Sequence, residues 1–219
     1  MIITGYLILA AFMVVTLAFS AREGRNVPCR NITIEFREDE PIKISRQEIA
    51  RLVHAADDQL LGKDLDQINA ETIEKEVEKH QAVFKAEVYK VIAKDSLSYK
   101  GILGVQVKHR EPVMRVLSSS GRYYLDGNGE RIPVSDNYTA RVLTVTGYFN
   151  EAFAREQVLP FVLFIDQSPF WKAQIEQIHV ERNGDVMLTP LVGDHLIELG
   201  SFERYPEKLR NMKAFYQQV

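Results

Sequence analysis

The chain has 219 residues, of which 46% are hydrophobic and 26% charged, with a formal net charge of -3. That length holds one or two modest domains with a real core, and that apolar content excludes wholesale disorder. The slight acidity gives no electrostatic case for nucleic-acid binding, and the single cysteine, Cys29, excludes an intrachain disulfide framework and a cysteine-rich zinc site.

Ile2 to Ser20 carry no charge; as a helix this stretch would cover about 28 Å, close to the roughly 30 Å apolar thickness of a bilayer. Two readings stand: a retained signal anchor over residues 1–21, or a signal peptide cut before Ala21. No basic residue precedes the segment and the apolar run exceeds the usual h-region, which favours retention. Arg22, Arg25 and Arg30 follow it, so the positive-inside rule alone would leave the body in the cytoplasm, although large following domains are translocated regardless of such a bias.

After a linker over residues 22–30, Ile32, Ile34 and Phe36 alternate as in a half-buried strand. Ser45 and Glu48 then form a capping-box pair ahead of Ile49, Leu52, Val53 and Ala56, which predicts a helix. A second helix starts near Asn69, with Ile73 and Val77 inside and a run of glutamates on its solvated face. From Ala82 the period returns to two, giving two strands joined by a turn through Ser96 to Gly101. Residues 31–111 therefore predict strand, helix, helix, strand, strand, with both helices covering one face of a three-stranded sheet.

Residues 112–219 predict a second domain. Strands VMRVLS and RYYLD lead to the turn LDGNGE and then to RVLTVTG, and an apolar helix from about Asn150 is interrupted at Pro160. Asn183-Gly184 is the preferred dipeptide of a type I′ hairpin, and Gly193-Asp194 marks a further turn, so three antiparallel strands are expected from Ile175 to Leu199. A last helix carries Tyr205, Leu209, Met212 and Tyr216 on one side. The fold class is α+β.

Catalytic, cofactor and metal constellations are all absent from the pattern. The five histidines are scattered with no HExxH spacing, and the serines at 118 to 120 do not form GxSxG. Asp126, Asn128 and Glu130 alternate as calcium ligands do, but counting from Asp126 places Arg131 where an EF-hand needs glycine and Asn137 where it needs glutamate. Asp126-Gly127 and Asn128-Gly129 instead suit a tight hairpin turn.

One membrane segment, a βααββ module and a β-rich domain, in that order, resemble the bacterial FtsQ/DivIB cell division family. PIKISRQEI resembles the start of the first helix of that family's POTRA module; VKHREPVMRV followed by YYLDGNGERIPV resembles its junction with the β domain, at Arg110, Glu111 and Pro112; LIELGSFERYPEKLRNMKAFY resembles its late strand and following helix. The resemblance implies a non-enzymatic scaffold of the divisome in the inner membrane, single-pass with most of the chain in the periplasm. Its implied partners are FtsB, FtsL and the septal peptidoglycan synthesis machinery, and it implies no cofactor. In that family a final strand after the last helix forms much of the surface that pairs with FtsB, whereas here Gln217-Gln218-Val219 are expected to continue the helix, so that either the chain is truncated before that strand or the edge is built differently. The expected docking edge is then His195, Leu196, Ile197, Glu198 and Leu199, with an ordinary core strand as the competing reading. Two other functions remain open: a different POTRA-bearing assembly factor and an exported hydrolase.

Overall fold

A computed structural model describes residues 9–16, 27–36, 44–94, 99–135 and 138–216. Of the expected membrane segment, residues 9–16 are helical and the rest lies outside the described residues. Among the described residues no helix is long and apolar enough to cross a membrane. The chain divides into two compact units, Met1–His109 and Arg110–Val219.

The first unit has a three-stranded sheet in the order β1-β3-β2, from β1 (Cys29–Phe36), β2 (Val83–Lys94) and β3 (Tyr99–His109). β1 lies parallel to β3 and β2 antiparallel to it. Helix α1 (Arg46–Ala56) begins where Ser45 accepts a hydrogen bond from the Glu48 N–H, and α2 (Ala70–Glu78) where Asn69 accepts from Thr72. Each cap satisfies a backbone donor that has no partner within the helix. Ile49 and Val53 of α1 and Ile73 and Val77 of α2 join Leu103, Val105 and Val107 of β3 in one core. The expected βααββ order is therefore present; the turn expected from Ser96 to Gly101 is shorter, since Tyr99, Lys100 and Gly101 already pair with β2 as part of β3, and residues 95–98 lie outside the described residues.

The second unit is a seven-stranded sheet in the order β10-β9-β8-β7-β4-β5-β6. Its strands are β4 (Pro112–Ser118), β5 (Gly121–Asp126), β6 (Arg131–Pro133), β7 (Leu143–Gly147), β8 (Ile175–Val180), β9 (Val186–Pro190) and β10 (Ile197–Gly200). Both flanks are antiparallel, as expected, but the centre is not: β7 runs parallel to β4 and to β8. The helical segments between β7 and β8 form the crossover that parallel neighbours need. Helices α3 (Glu151–Phe153), α4 (Leu159–Asp166), α5 (Pro169–Gln174) and α6 (Tyr205–Tyr216) flank the sheet, and Phe161 of α4, Trp171 of α5 and Leu209 of α6, with Val158 from the turn between α3 and α4, form a core with Met114, Tyr123, Val145 and Leu188 of the sheet.

Two local expectations need correction. Pro160 does not interrupt the helix: a π-helical turn at Ala154–Val158 joins α3 to α4, and Pro160 sits in the first turn of α4. Proline lacks an N–H and its ring clashes with the carbonyl four residues back; the wider turn accommodates both, so the chain stays helical. Asn183-Gly184 is not a type I′ turn, since Gly184 has a φ of 89° while Asn183 has none of the positive φ that type requires. Glu181 N–H donates to Asp185 O at 2.8 Å and Gly184 N–H to Glu181 O at 3.1 Å, a three-residue connection. The Asn183 side-chain oxygen accepts from Asp185 N–H at 3.0 Å, which holds the loop without a left-handed asparagine.

Candidate partner-docking edge

The hairpin at Asp126 repeats that three-residue design. Asp126 N–H donates to Glu130 O and Gly129 N–H to Asp126 O, each at 3.0 Å, with Gly129 at a φ of 79°. One carboxylate oxygen of Asp126 accepts from Asn128 N–H at 2.9 Å and Glu130 N–H at 2.8 Å. The other meets the Arg110 guanidinium at 2.9 Å. The carboxylate is 4% exposed and already committed to three donors, one of them a cation. The loop is thus a structural turn: Arg110 fastens it, and Pro112, the first residue of β4, pairs with Asp126. Glu111 is exposed, and with Pro112 it borders a cavity of about 870 Å³ floored by Val113, Leu143 and Ile175.

The other chemistry-bearing side chains are dispersed. His54 is exposed, His80 lies 3.3 Å from Glu48, His109 stacks on Phe36, His179 meets the Thr146 hydroxyl at 2.8 Å and His195 meets Tyr216. Among the described residues no three histidine, cysteine or carboxylate side chains gather as metal ligands do. Burial pushes the Cys29 thiol above its usual value, which disfavours the nucleophilic thiolate. Ser118 and Ser120 hydrogen-bond each other at the β4-β5 turn.

Of the five residues expected at the docking edge, Ile197, Glu198 and Leu199 lie in β10. β10 is the end strand of the sheet and pairs only with β9 among the described residues. His195 and Leu196 precede it in an exposed loop. Ile197 pairs with Leu188 and Glu198 with Met187, and the register shifts at Leu199 before Gly200 pairs with Val186. The Glu181–Asp185 pair closing the β8-β9 hairpin fixes the alternation: Met187 faces β8, Leu188 faces β10, and so the Glu198 backbone faces outward. The two competing readings of this strand divide by atom. Leu199 packs its side chain into the core at 6% exposure, while the backbone of Glu198 is presented at the edge.

Two contacts fix this edge to α6. The Lys208 ammonium donates to Leu199 O at 3.1 Å and to Ser201 O at 2.8 Å, which ends the strand. His195 Nε2 and the Tyr216 hydroxyl lie 2.5 Å apart, which brings the loop before β10 against the end of the helix. Leu191, Val192 and Leu196, in the segment before β10, and Phe215, beside Tyr216 in α6, are each 59% or more exposed. Sequence reading passed over Leu191, Val192 and Phe215; the available signal was apolar residues off the buried stripe of α6 and inside a glycine-marked loop.

The family model described as FtsQ/DivIB, C-terminal related, matches residues 111–219, and that of the POTRA-like domain matches residues 27–95. No curated protein matches the chain. The two matches lie in the two units in the order of the family, and the chain belongs to the FtsQ/DivIB family.

Proposed function

We propose that the chain is a non-enzymatic scaffold of the divisome, linking FtsB- and FtsL-like proteins to the septal peptidoglycan synthesis machinery. Membership of a non-catalytic division-scaffold family supports a role in cell division. The observation that carries the finer reading is the end strand β10, whose backbone at Glu198 faces outward, with exposed apolar side chains at Leu191, Val192 and Leu196 in the segment leading into it and at Phe215 in α6. An extended partner segment adds to such an edge: main-chain hydrogen bonds supply affinity, and side chains at alternate positions supply specificity. Here the strand is short, so the apolar side chains beside it contribute most of the buried area.

In this reading residues 1–21 anchor the protein in the inner membrane, residues 31–111 and 112–219 lie in the periplasm, and the protein concentrates at the septum. The uncharged stretch from Ile2 to Ser20 supports the anchor. Arg110, Glu111 and Pro112 serve as the domain junction. Co-purification from membranes tests the partner: recovery of FtsB- and FtsL-like proteins, lost on Glu198→Pro, supports the scaffold. Recovery of an outer-membrane barrel instead would replace it with an assembly factor.

A further inference from the structure

The edge of the first unit's sheet carries a device that the docking edge lacks. In β2, the N–H groups of even-numbered residues point away from β3, because Ala86 N–H donates to a Glu78 carboxylate oxygen at 3.1 Å and Val88 N–H to Glu74 at 2.8 Å. Both carboxylates come from α2, on the helix face above this edge. Glu78 also holds the Lys85 ammonium at 2.9 Å. By the same alternation Lys90, Ile92 and Lys94 point their N–H groups outward, where none has a hydrogen-bond partner among the described residues. The carboxylates therefore close one half of a twelve-residue edge strand.

The closed half is the one able to pair with itself. Lys85, Ala86 and Glu87 stand in sequence, so two copies of β2 laid antiparallel about Ala86 put Lys85 directly opposite Glu87 twice, on the helix-free face. The outward amides of Ala86 then meet each other. Opposite charges at facing positions favour such a pair, and an unprotected edge strand of this length is a template for association.

We propose that Glu74 and Glu78 guard the β2 edge against pairing with the same edge of a second copy of this chain. The guard works in two ways: the carboxylates occupy the donors at Ala86 and Val88, and Glu78 withholds Lys85 from the Glu87 of another copy. This inference stands independently of the divisome reading.

Sedimentation of the full chain in detergent tests it. E74A/E78A should dimerise at least tenfold more tightly than the parent. E71A/E76A, which removes the same charge from two glutamates bonded to Lys75 and Lys79, should behave as the parent does. E74Q/E78Q retains acceptor oxygens at both sites and should stay closer to the parent than to the alanine pair. Adding Glu87→Lys to E74A/E78A should abolish the gain, since lysine would then face lysine. If the alanine pair does not fold, E74A and E78A singly carry the same comparison with smaller gains. Association equal to that of E71A/E76A, or a gain untouched by Glu87→Lys, would overturn the proposal.

Discussion

Replacing Asp126 by alanine should destabilise the second unit by about 3 kcal/mol. The side chain accepts two backbone N–H bonds, at 2.9 and 2.8 Å, and one guanidinium bond at 2.9 Å. A hydrogen bond to a charged group contributes about 1.5–3 kcal/mol, and removing one partner of a buried ion pair costs about 3–5 kcal/mol. The Arg110 side chain is 19% exposed, so water recovers part of that loss, and the lower end of the range applies. The only tryptophan, Trp171, is 3% exposed in the core of the same unit, so its fluorescence during urea unfolding reports this unit alone. Arg110→Met should cost less, because the two backbone bonds persist, and the double variant should cost less than the sum of the singles. A loss below about 1 kcal/mol for Asp126→Ala, or strict additivity, would show that the turn does not depend on this carboxylate.

Gly147→Ala should cost more than about 3 kcal/mol by the same fluorescence assay, since its φ is 130° and a Cβ would stand 2.0 Å from the Val180 carbonyl oxygen. Ser45→Ala should lower the stability of the first unit by about 1 kcal/mol, measured by far-UV circular dichroism, through loss of the α1 cap. The hydrogen bond from Lys63 holds the Asp57 carboxyl below its usual value of 3.8. A depressed folded value contributes stability that is present above the unfolded value and lost as pH falls through the folded one. Asp57→Asn should therefore flatten the decline of first-unit stability below about pH 4, and an unchanged slope would discount the Lys63 contact.

How much of this was legible follows from the range of the interactions involved. Ser45, Asn69 and the Asp126 turn act over a few residues, so local chemistry identified them. Asn183 was legible as a turn but not as its type, because its side-chain bond to Asp185 competes with the left-handed backbone that the dipeptide usually signals. Pro160 carries a local helix-breaking signal, yet the burial of Val158, Phe161 and Val162 keeps the segment helical, with a wider turn absorbing the misfit. The parallel placement of β7 between β4 and β8 is a long-range pairing that no short window contains. At the candidate docking edge, alternation located the strand, but its end position follows from its pairing only with β9 among the described residues. The His195–Tyr216 contact joins segments distant in sequence, so it too lies beyond any short window.

Depletion of the protein in its own cells, followed by measurement of cell length and completed septa, tests the scaffold reading most directly. Filaments without completed septa, rescued by the intact chain but not by a folded Glu198→Pro variant, are the predicted result. Cells that divide at normal length after depletion would contradict it.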